Sequence, residues 1–416
     1  MKVKIGTYRW RVVALLFFAT TINYIDRQII AILAPDLQKL FNWSEMDYSL
    51  VIMSFQVAYA LGLLFAGNLL DRIGTKKGYS LAVIFWSLAA MFHGAARSLF
   101  AFIAARFSLG IGESANFPAA IKAVAEWFPK RERALATGIF NAGTNVGAIL
   151  TPFIVPAIAI KWGWQWAFIS TGALGFIWLI LWLLTYDQPE KSPRLTIREK
   201  EYILQDEPDK KEKLKWTALL AHKQTLGICL ARFVTDPVWW FFLYWVPKFL
   251  YTNYGIDLTN IGPPLILIYI VSIIGSVSGG GLSSFFISRG KQPVPARKNA
   301  ILILALFALP VYFVSNAQHM WISVLLISLA AFAHQGYAAN IFTIVSDIYP
   351  KKAVGSVIGL SGSAGAVGGI LFSFSVGYIL EITGSYFLLF LFASVAYLLC
   401  WLFLKLFVPN SSKIEI

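Results

Sequence analysis

The sequence predicts an all-α membrane protein, with twelve transmembrane helices in two pseudosymmetric six-helix bundles. Three observations predict it. The 416 residues are 58% hydrophobic and only 13% charged, with a mean hydropathy of +0.66, too little charge to clothe a soluble surface. Apolar segments of about 20 residues or more recur along the chain, each long enough to cross ~30 Å of hydrocarbon. One long hydrophilic stretch, 186–222, falls at the midpoint with six such segments on either side.

In order, the predicted spans cover 10–33, 47–69, 79–96, 99–126, 134–158, 164–185, 224–252, 262–287, 299–315, 320–348, 354–380 and 386–407. The fourth, seventh and tenth are long, which implies tilt or protrusion beyond the bilayer. The first apolar run has no small-residue cleavage site after it, so it is expected to stay in the chain as span one.

A formal charge of +14 raises the question of nucleic acid, and the distribution of charge answers it. Of the 35 Lys and Arg, 27 fall in or beside the termini and the even-numbered loops, counting Arg11 and Lys405 at the ends of the first and last spans. That asymmetry is what the positive-inside rule gives for twelve spans with both termini cytoplasmic. The basicity is a topology signal, and no nucleic-acid partner is implied. Cys229 and Cys400 sit far apart in apolar spans and His residues number only four, so neither a disulfide nor a metal site is expected. No cofactor is implied.

The midpoint stretch, mixed in charge and dotted with prolines, reads as a mobile or partly helical cytoplasmic linker. It divides the chain into an N-terminal bundle, 1–185, and a C-terminal bundle, 223–416. The halves echo each other: TGIFNAGTNVG at 137–147 lines up without gaps with IGLSGSAGAVG at 358–368, and Pro129 with Pro350, all at one offset. The match is short and glycine-driven. With the linker and the six-plus-six count it points to a pseudosymmetric architecture whose site lies between the halves near the midplane.

Three arginines, Arg27, Arg106 and Arg232, and three acids, Asp26, Glu113 and Asp236, stand inside these apolar spans. Each costs roughly 2.5–3.5 kcal/mol at a span centre on insertion scales. Keeping six of them implies charged cargo and protons.

Adjacent on span one, Asp26 and Arg27 point about 100° apart, so one can face the opposite half while the other meets a neighbouring helix. Seven residues separate Arg106 from Glu113 on span four, which puts them on one face, beside Gly110 and Gly112 that admit a partner helix or ligand. A structural ion-pair network among the four is the competing reading. On span seven, Arg232 and Asp236 stand at i, i+4, the spacing of an internal ion pair. Trp239 and Trp240 follow; aromatic residues near a span end are usually interfacial anchors, whereas deep in a cavity they would suit a sugar ring. His334, Gln335 and Asn340 on span ten are polar in an apolar setting, fit either for substrate hydroxyls or for helix–helix hydrogen bonds. Tyr24, Tyr59 and Asn145 are further candidates on the same logic. Asp347 and Glu381, near span ends, are expected to be solvated.

The loop between spans two and three reads GNLLDRIGTKKG, 67–78. Asp71 can accept hydrogen bonds from a neighbouring helix N-terminus, Arg72 holds the loop at the inner face, and Gly74 allows a tight turn. This resembles the loop signature of the major facilitator superfamily, with Asp71, Arg72 and Gly74 as a cytoplasmic gate. The second half departs from it, having Ser284 and Phe285 where an Asp-Arg pair would stand; a lock there would rest on Arg289, Arg297 and Lys298.

INYIDRQ, RFSLGIGESANFPAA, EWFPKRERALATG, TDPVWWFFLYWVPKFL and AHQGYAANIFTIVSDIYPKKAVGS resemble the anion:cation symporter branch of that superfamily, and within it the bacterial hexuronate transporters, along essentially the whole chain. The resemblance implies proton-coupled import of a sugar acid, most simply galacturonate or glucuronate, across a bacterial inner membrane, by a monomer. It implies Asp26 and Glu113 as proton carriers, Arg27 as the carboxylate-binding residue, and a substrate-binding polar residue at Asn145. Galactonate, glucarate or another organic anion is the alternative cargo. An integral-membrane enzyme would need a catalytic constellation near one membrane face, and a sensor a signalling domain; neither is evident.

Overall fold

The computed structural model describes residues 6–205 and 219–410. Among them all regular structure is helical, and ten helices are long and apolar enough to cross a membrane. Residue contacts divide the chain into two compact units, Met1–Asn42 with Leu50–Lys210, and Trp43–Ser49 with Lys211–Ile416.

The first unit carries α1 (Tyr8–Ile32), α2 (Ala34–Phe41), α3 (Glu45–Ile73) from Leu50 on, α4 (Thr75–His93), α5 (Leu99–Glu113), α6 (Asn116–Trp127), α7 (Lys130–Trp162) and α8 (Trp164–Thr185). Buried over most of its length, α1 packs on α6, α7 and α8. Its closest neighbour is α7, where a Cβ at Gly143 would meet the Phe17 carbonyl at 2.5 Å and one at Gly147 the Thr21 carbonyl at 2.7 Å. Small residues of this kind let membrane helices approach to backbone contact.

Two predicted spans take another form. Span three is α4, nineteen residues that open on the polar Thr75, Lys76 and Lys77, and it is not among the ten long apolar helices. Span four is two helices, α5 and α6, broken at Ser114–Ala115. The cause is Pro118, whose ring cannot donate to, and clashes with, the carbonyl four residues before it, here that of Ser114. Asn116 secures the restart, accepting from the Tyr79 hydroxyl at 2.5 Å and donating to Thr20 Oγ1 at 3.4 Å.

Beyond α8, Pro189–Lys191 forms a 3-10 turn and Ile197–Ile203 a short helix, α9, capped by the Thr196 hydroxyl accepting from the Glu199 amide. This part of the predicted linker is docked, contrary to a mobile reading. Glu199, 1% exposed, accepts from the Arg9 backbone at 3.1 Å and its guanidinium at 3.2 Å, while the same guanidinium binds Glu132 at the start of α7 at 2.9 Å. Tyr202 donates to Glu132 at 2.7 Å and accepts from Arg131 at 2.9 Å. Residues 206–218 of the predicted linker lie outside the described residues.

In the second unit, α10 (Lys223–Tyr254), α11 (Gly262–Ser288), α12 (Pro293–Ala308), α13 (Met320–Ile348), α14 (Lys351–Thr383) and α15 (Phe387–Phe407) follow in order, α12 continuing as a 3-10 segment over Leu309–Asn316. Here α10 pairs with α14 as α1 pairs with α7. The two partners are both 33 residues long and both start after a proline in extended conformation, Pro129 and Pro350. Pro237 frees the Phe233 carbonyl from its helix ladder, and a Cβ at Gly368 would meet that carbonyl at 2.2 Å. The unit also takes in residues 43–49, where Lys248 pairs with Glu45, and Glu381 accepts from the Glu45 amide at 2.9 Å. Glu381 is exposed, as expected near a span end, and caps the first turn of α3 from there, while Asp347 is half-buried and bound to Arg297 at 2.5 Å.

Candidate functional site

The charges of α1 and α5 meet in the first unit. Arg27 donates Nε and Nη2 to one oxygen of Glu113, Oε2, at 3.0 and 2.9 Å, with side-chain exposures of 5% and 0%. Asn23, one turn back, accepts from Arg27 Nη2 at 3.4 Å. Three rings enclose the guanidinium: Tyr24 at 4.7 Å, Tyr59 at 4.8 Å and Phe55 at 5.0 Å from its central carbon. Such rings stabilise a desolvated cation through their faces, and hold the planar fork in place.

Arg106 is fully buried, its guanidinium 4.5 Å from the Phe55 ring, and donates to the Arg27 backbone carbonyl at 3.3 Å. The guanidinium therefore also buttresses the backbone of α1. Glu113 Oε1 has no hydrogen-bond partner among the described residues, and neither has either Asp26 oxygen. Thr171 of α8 lies beside Asp26, but its hydroxyl has one proton, and donates to the Ala167 carbonyl at 3.0 Å. Two acids and two guanidiniums thus share one dry cluster, and each acid keeps acceptor capacity in reserve.

On the second unit the polar residues lie along α10 and α13. Arg232 binds Asp236 Oδ2 through Nε at 3.1 Å and Nη2 at 2.8 Å, and reaches the Ile358 carbonyl and Ser361 of α14, both at 3.3 Å. The pair read from the i, i+4 spacing is present and ties α10 to α14. Trp239 stacks on His334 with ring centres 5.0 Å apart and planes 6° apart, and His334 Nδ1 is 2.9 Å from the Tyr397 hydroxyl. Trp240 stacks instead on Tyr244 of its own helix at 5.8 Å. Asn340 donates its amide to the Gly279 and Gly336 carbonyls at 2.8 and 2.9 Å, the helix–helix use of that side chain. Gln335 is half-buried beside His334, and Asn145 half-buried on α7 between the two glycines that meet α1.

Gly147 meets the Thr21 carbonyl on α1 and Gly368 the Phe233 carbonyl on α10, at matching positions of the two aligned stretches. In that register Trp239 occupies the place on α10 that Arg27 occupies on α1. One repeat offers a cation fork and the other an aromatic face.

At the charged end of the first unit, Asp71 accepts from Lys122 at 2.7 Å. Gly74 has φ +82°, the left-handed turn its position demands; Arg72 is exposed. Nearby, Glu126 accepts from Thr75 at 2.6 Å and from the Tyr186 hydroxyl. Burial, and the negative charge of Glu126 beside it, push the Tyr186 phenol well above its ordinary range, so it remains a donor. Sequence reasoning passed over Asn23, Phe55, Gln28 and Gln56; a polar residue three or four positions from a charged one on the same span was the available signal for Asn23.

A profile of the Major Facilitator Superfamily matches residues 16–317. The chain belongs to the Major Facilitator Superfamily. It is 31% identical over 387 residues to the hexuronate transporter of Escherichia coli (strain K12), covering 92% of this chain and 90% of that protein. With the galacturonate transporter of Dickeya chrysanthemi it shares 34% over 288 residues, 68% of this chain and 84% of that one. With the D-galactonate transporter of Escherichia coli O6:H1 it shares 30% over 391 residues, covering 91% and 90%. Among solved structures, a bacterial homologue of the human lysosomal transporter Spinster superposes with a TM-score of 0.77 at 19% identity over 99% of this chain and 100% of that one. A D-xylose-proton symporter does so at 0.76 and 15%, again covering 99% and 100%. These two likenesses establish the superfamily fold of a multi-span, all-α membrane protein.

Proposed function

We propose that this superfamily member is a proton-coupled symporter that imports a sugar acid, most simply a hexuronate, into the bacterial cytoplasm by alternating access. In this reading the chain has twelve spans in two six-helix bundles, 1–185 and 223–416, both termini are cytoplasmic, and a monomer is the working unit. One observation carries it: the Arg27 fork is caged by three rings and held by the single buried carboxylate of Glu113. A substrate carboxylate has the same shape and charge as the group already there, so it can take over both donors once Glu113 gives them up. Protonation of Glu113 releases them, and Asp26, whose oxygens have no hydrogen-bond partner among the described residues, is the second proton carrier; an unpaired buried carboxylate is costly unless it takes up a proton. Trp239, stacked on His334 in the other repeat, supports a face for the sugar ring.

Coupling is required on energetic grounds. A monovalent anion entering a negative interior is opposed by about 2.3 kcal/mol per 100 mV; one proton makes the step electroneutral and a second makes the potential drive it. The likeness to hexuronate and galacturonate transporters supports the cargo, and that to a D-galactonate transporter supports an aldonate as the second reading. Uptake of labelled galacturonate, glucuronate, galactonate and glucarate into proteoliposomes, with and without an inward pH gradient, tests both. Gradient-driven accumulation of a hexuronate is expected; transport of none of the four would refute the proposal.

A further inference from the structure

Beside the Arg27 cage stand two amide side chains that hydrogen bonding leaves unaccounted for. Gln28 is 1% exposed and its Nε2 has no partner among the described residues; Gln56 is 3% exposed and neither its Nε2 nor its Oε1 has one. Both adjoin the cage through the helix that bears them. On α1, Tyr24, Arg27 and Gln28 stand at i, i+3 and i+4, and on α3, Gln56 is next to Phe55 and three residues from Tyr59. Positions three and four apart are neighbours on a helix surface, and Tyr24, Phe55 and Tyr59 are the three rings against the Arg27 guanidinium.

Buried amides are nearly always hydrogen-bonded, and each exception calls for a cause. Gln28 adjoins Arg27 on α1, and Gln56 adjoins on α3 the Phe55 that packs against the Arg27 guanidinium. The bound carboxylate offers acceptors only, so it cannot satisfy Gln56 Oε1, and its oxygens are engaged by the Arg27 fork rather than left for the two amide nitrogens. An amide has two N–H donors and an oxygen acceptor, and a hydroxyl, both donor and acceptor, satisfies either end. We infer that Gln28 and Gln56 are specificity-determining residues that bind hydroxyl groups on the carbons next to the substrate carboxylate, so that the site selects polyhydroxylated monocarboxylates over plain ones. The inference rests on the sugar-acid reading and deepens it. A site whose buried polar groups stay unpaired with the wrong ligand rejects that ligand far more strongly than a greasy pocket does, which gives the orphaned amides a purpose.

The experiment is calorimetric binding to the purified full-length protein of two probes, galacturonate and cyclohexanecarboxylate, the second a carboxylate of similar size without hydroxyls. The variants are Gln28→Met and Gln56→Met, which keep length and remove the amide. Each is expected to bind galacturonate about 10- to 100-fold more weakly, to bind cyclohexanecarboxylate as the wild type does, and to unfold at the same or a higher temperature, since an unpaired buried amide has gone. Equal weakening of both probes, unchanged galacturonate affinity, or a lowered unfolding temperature in step with the lost affinity would each overturn the inference and return the amides to a structural role. Should a Met variant fail to fold, Gln28→Asn and Gln56→Asn withdraw the amide by one methylene; an unchanged ratio of the two affinities there overturns it equally. A wild type that binds no sugar acid at all refutes the functional reading and this inference with it, whereas galacturonate binding with unmoved selectivity refutes this inference alone.

Discussion

Replacing Glu113 by Gln changes one atom in the most consequential contact of the first unit. In the wild type, two guanidinium N–H groups of Arg27 donate to Glu113 Oε2 at 3.0 and 2.9 Å, between side chains 5% and 0% exposed. Removing one partner of such a pair outright costs about 3–5 kcal/mol. A Gln oxygen still accepts, but as a neutral group, at about half the strength of a charged one, so roughly 2 kcal/mol of the grip on Arg27 is lost. A substrate anion must displace whatever holds Arg27, and the weaker incumbent gives about 10- to 30-fold tighter binding, since 1.4 kcal/mol is tenfold. Glu113→Gln should therefore bind galacturonate more tightly than the wild type at neutral pH, with little dependence on pH. It should still exchange substrate in counterflow, yet fail to accumulate it under a pH gradient, because the side chain has no proton to release and the gradient cannot bias the cycle. Calorimetry from pH 5 to 8, with counterflow and gradient-driven uptake in the same liposomes, reads all three. Full gradient-driven accumulation by this variant would refute the reasoning, as would affinity weaker than wild type.

Arg27→Lys, which offers a point charge in place of the fork, should lose hexuronate binding at least 100-fold, ~3 kcal/mol or more, in protein that still folds; near-normal calorimetric affinity would place the carboxylate elsewhere. Asp26→Asn should bind and exchange substrate while losing pH-driven accumulation, and retained accumulation would move the proton to other groups, His334 or the Arg232–Asp236 pair first. With Cys229 and Cys400 removed, a single cysteine at Arg198, exposed on α9, should resist impermeant thiol reagents added outside intact cells; rapid labelling from outside would reverse the proposed orientation. Arg9→Ala deprives Glu199 and Glu132 of their shared partner, so protease cleavage within 197–203 should become faster with transport chemistry intact, and unchanged cleavage would show that α9 is held by something else.

Several features were legible before any coordinates because their causes are local. Hydropathy set the limits of α8 and α13, both of which run over the predicted 164–185 and 320–348. The Arg232–Asp236 pair followed from a four-residue spacing on one helix. The repeat offset that aligned Pro129 with Pro350 reappears as two helices of equal length with equivalent starts. The break between α5 and α6 was written in Pro118 but was outweighed by the apolar run around it.

What the sequence determined by itself was where the long apolar helices run, that charges persist inside them and which local pairs form, because hydropathy, helical spacing and proline sterics act within a few residues. Only the tertiary structure decided which charges meet. Arg27 and Glu113 are 86 residues apart, and the support that Arg106 gives to the backbone of α1 could not be read from its face on α5. Asn340, equally open to substrate and to scaffold by sequence, places its amide nitrogen on the Gly279 and Gly336 carbonyls that come within reach. Gln28 and Gln56 look like any other glutamines in an apolar span until the packing shows both buried and unpaired. Hydrogen-bond partners are chosen through space, by which helices the small residues allow to touch, and that choice is carried by no single stretch of chain.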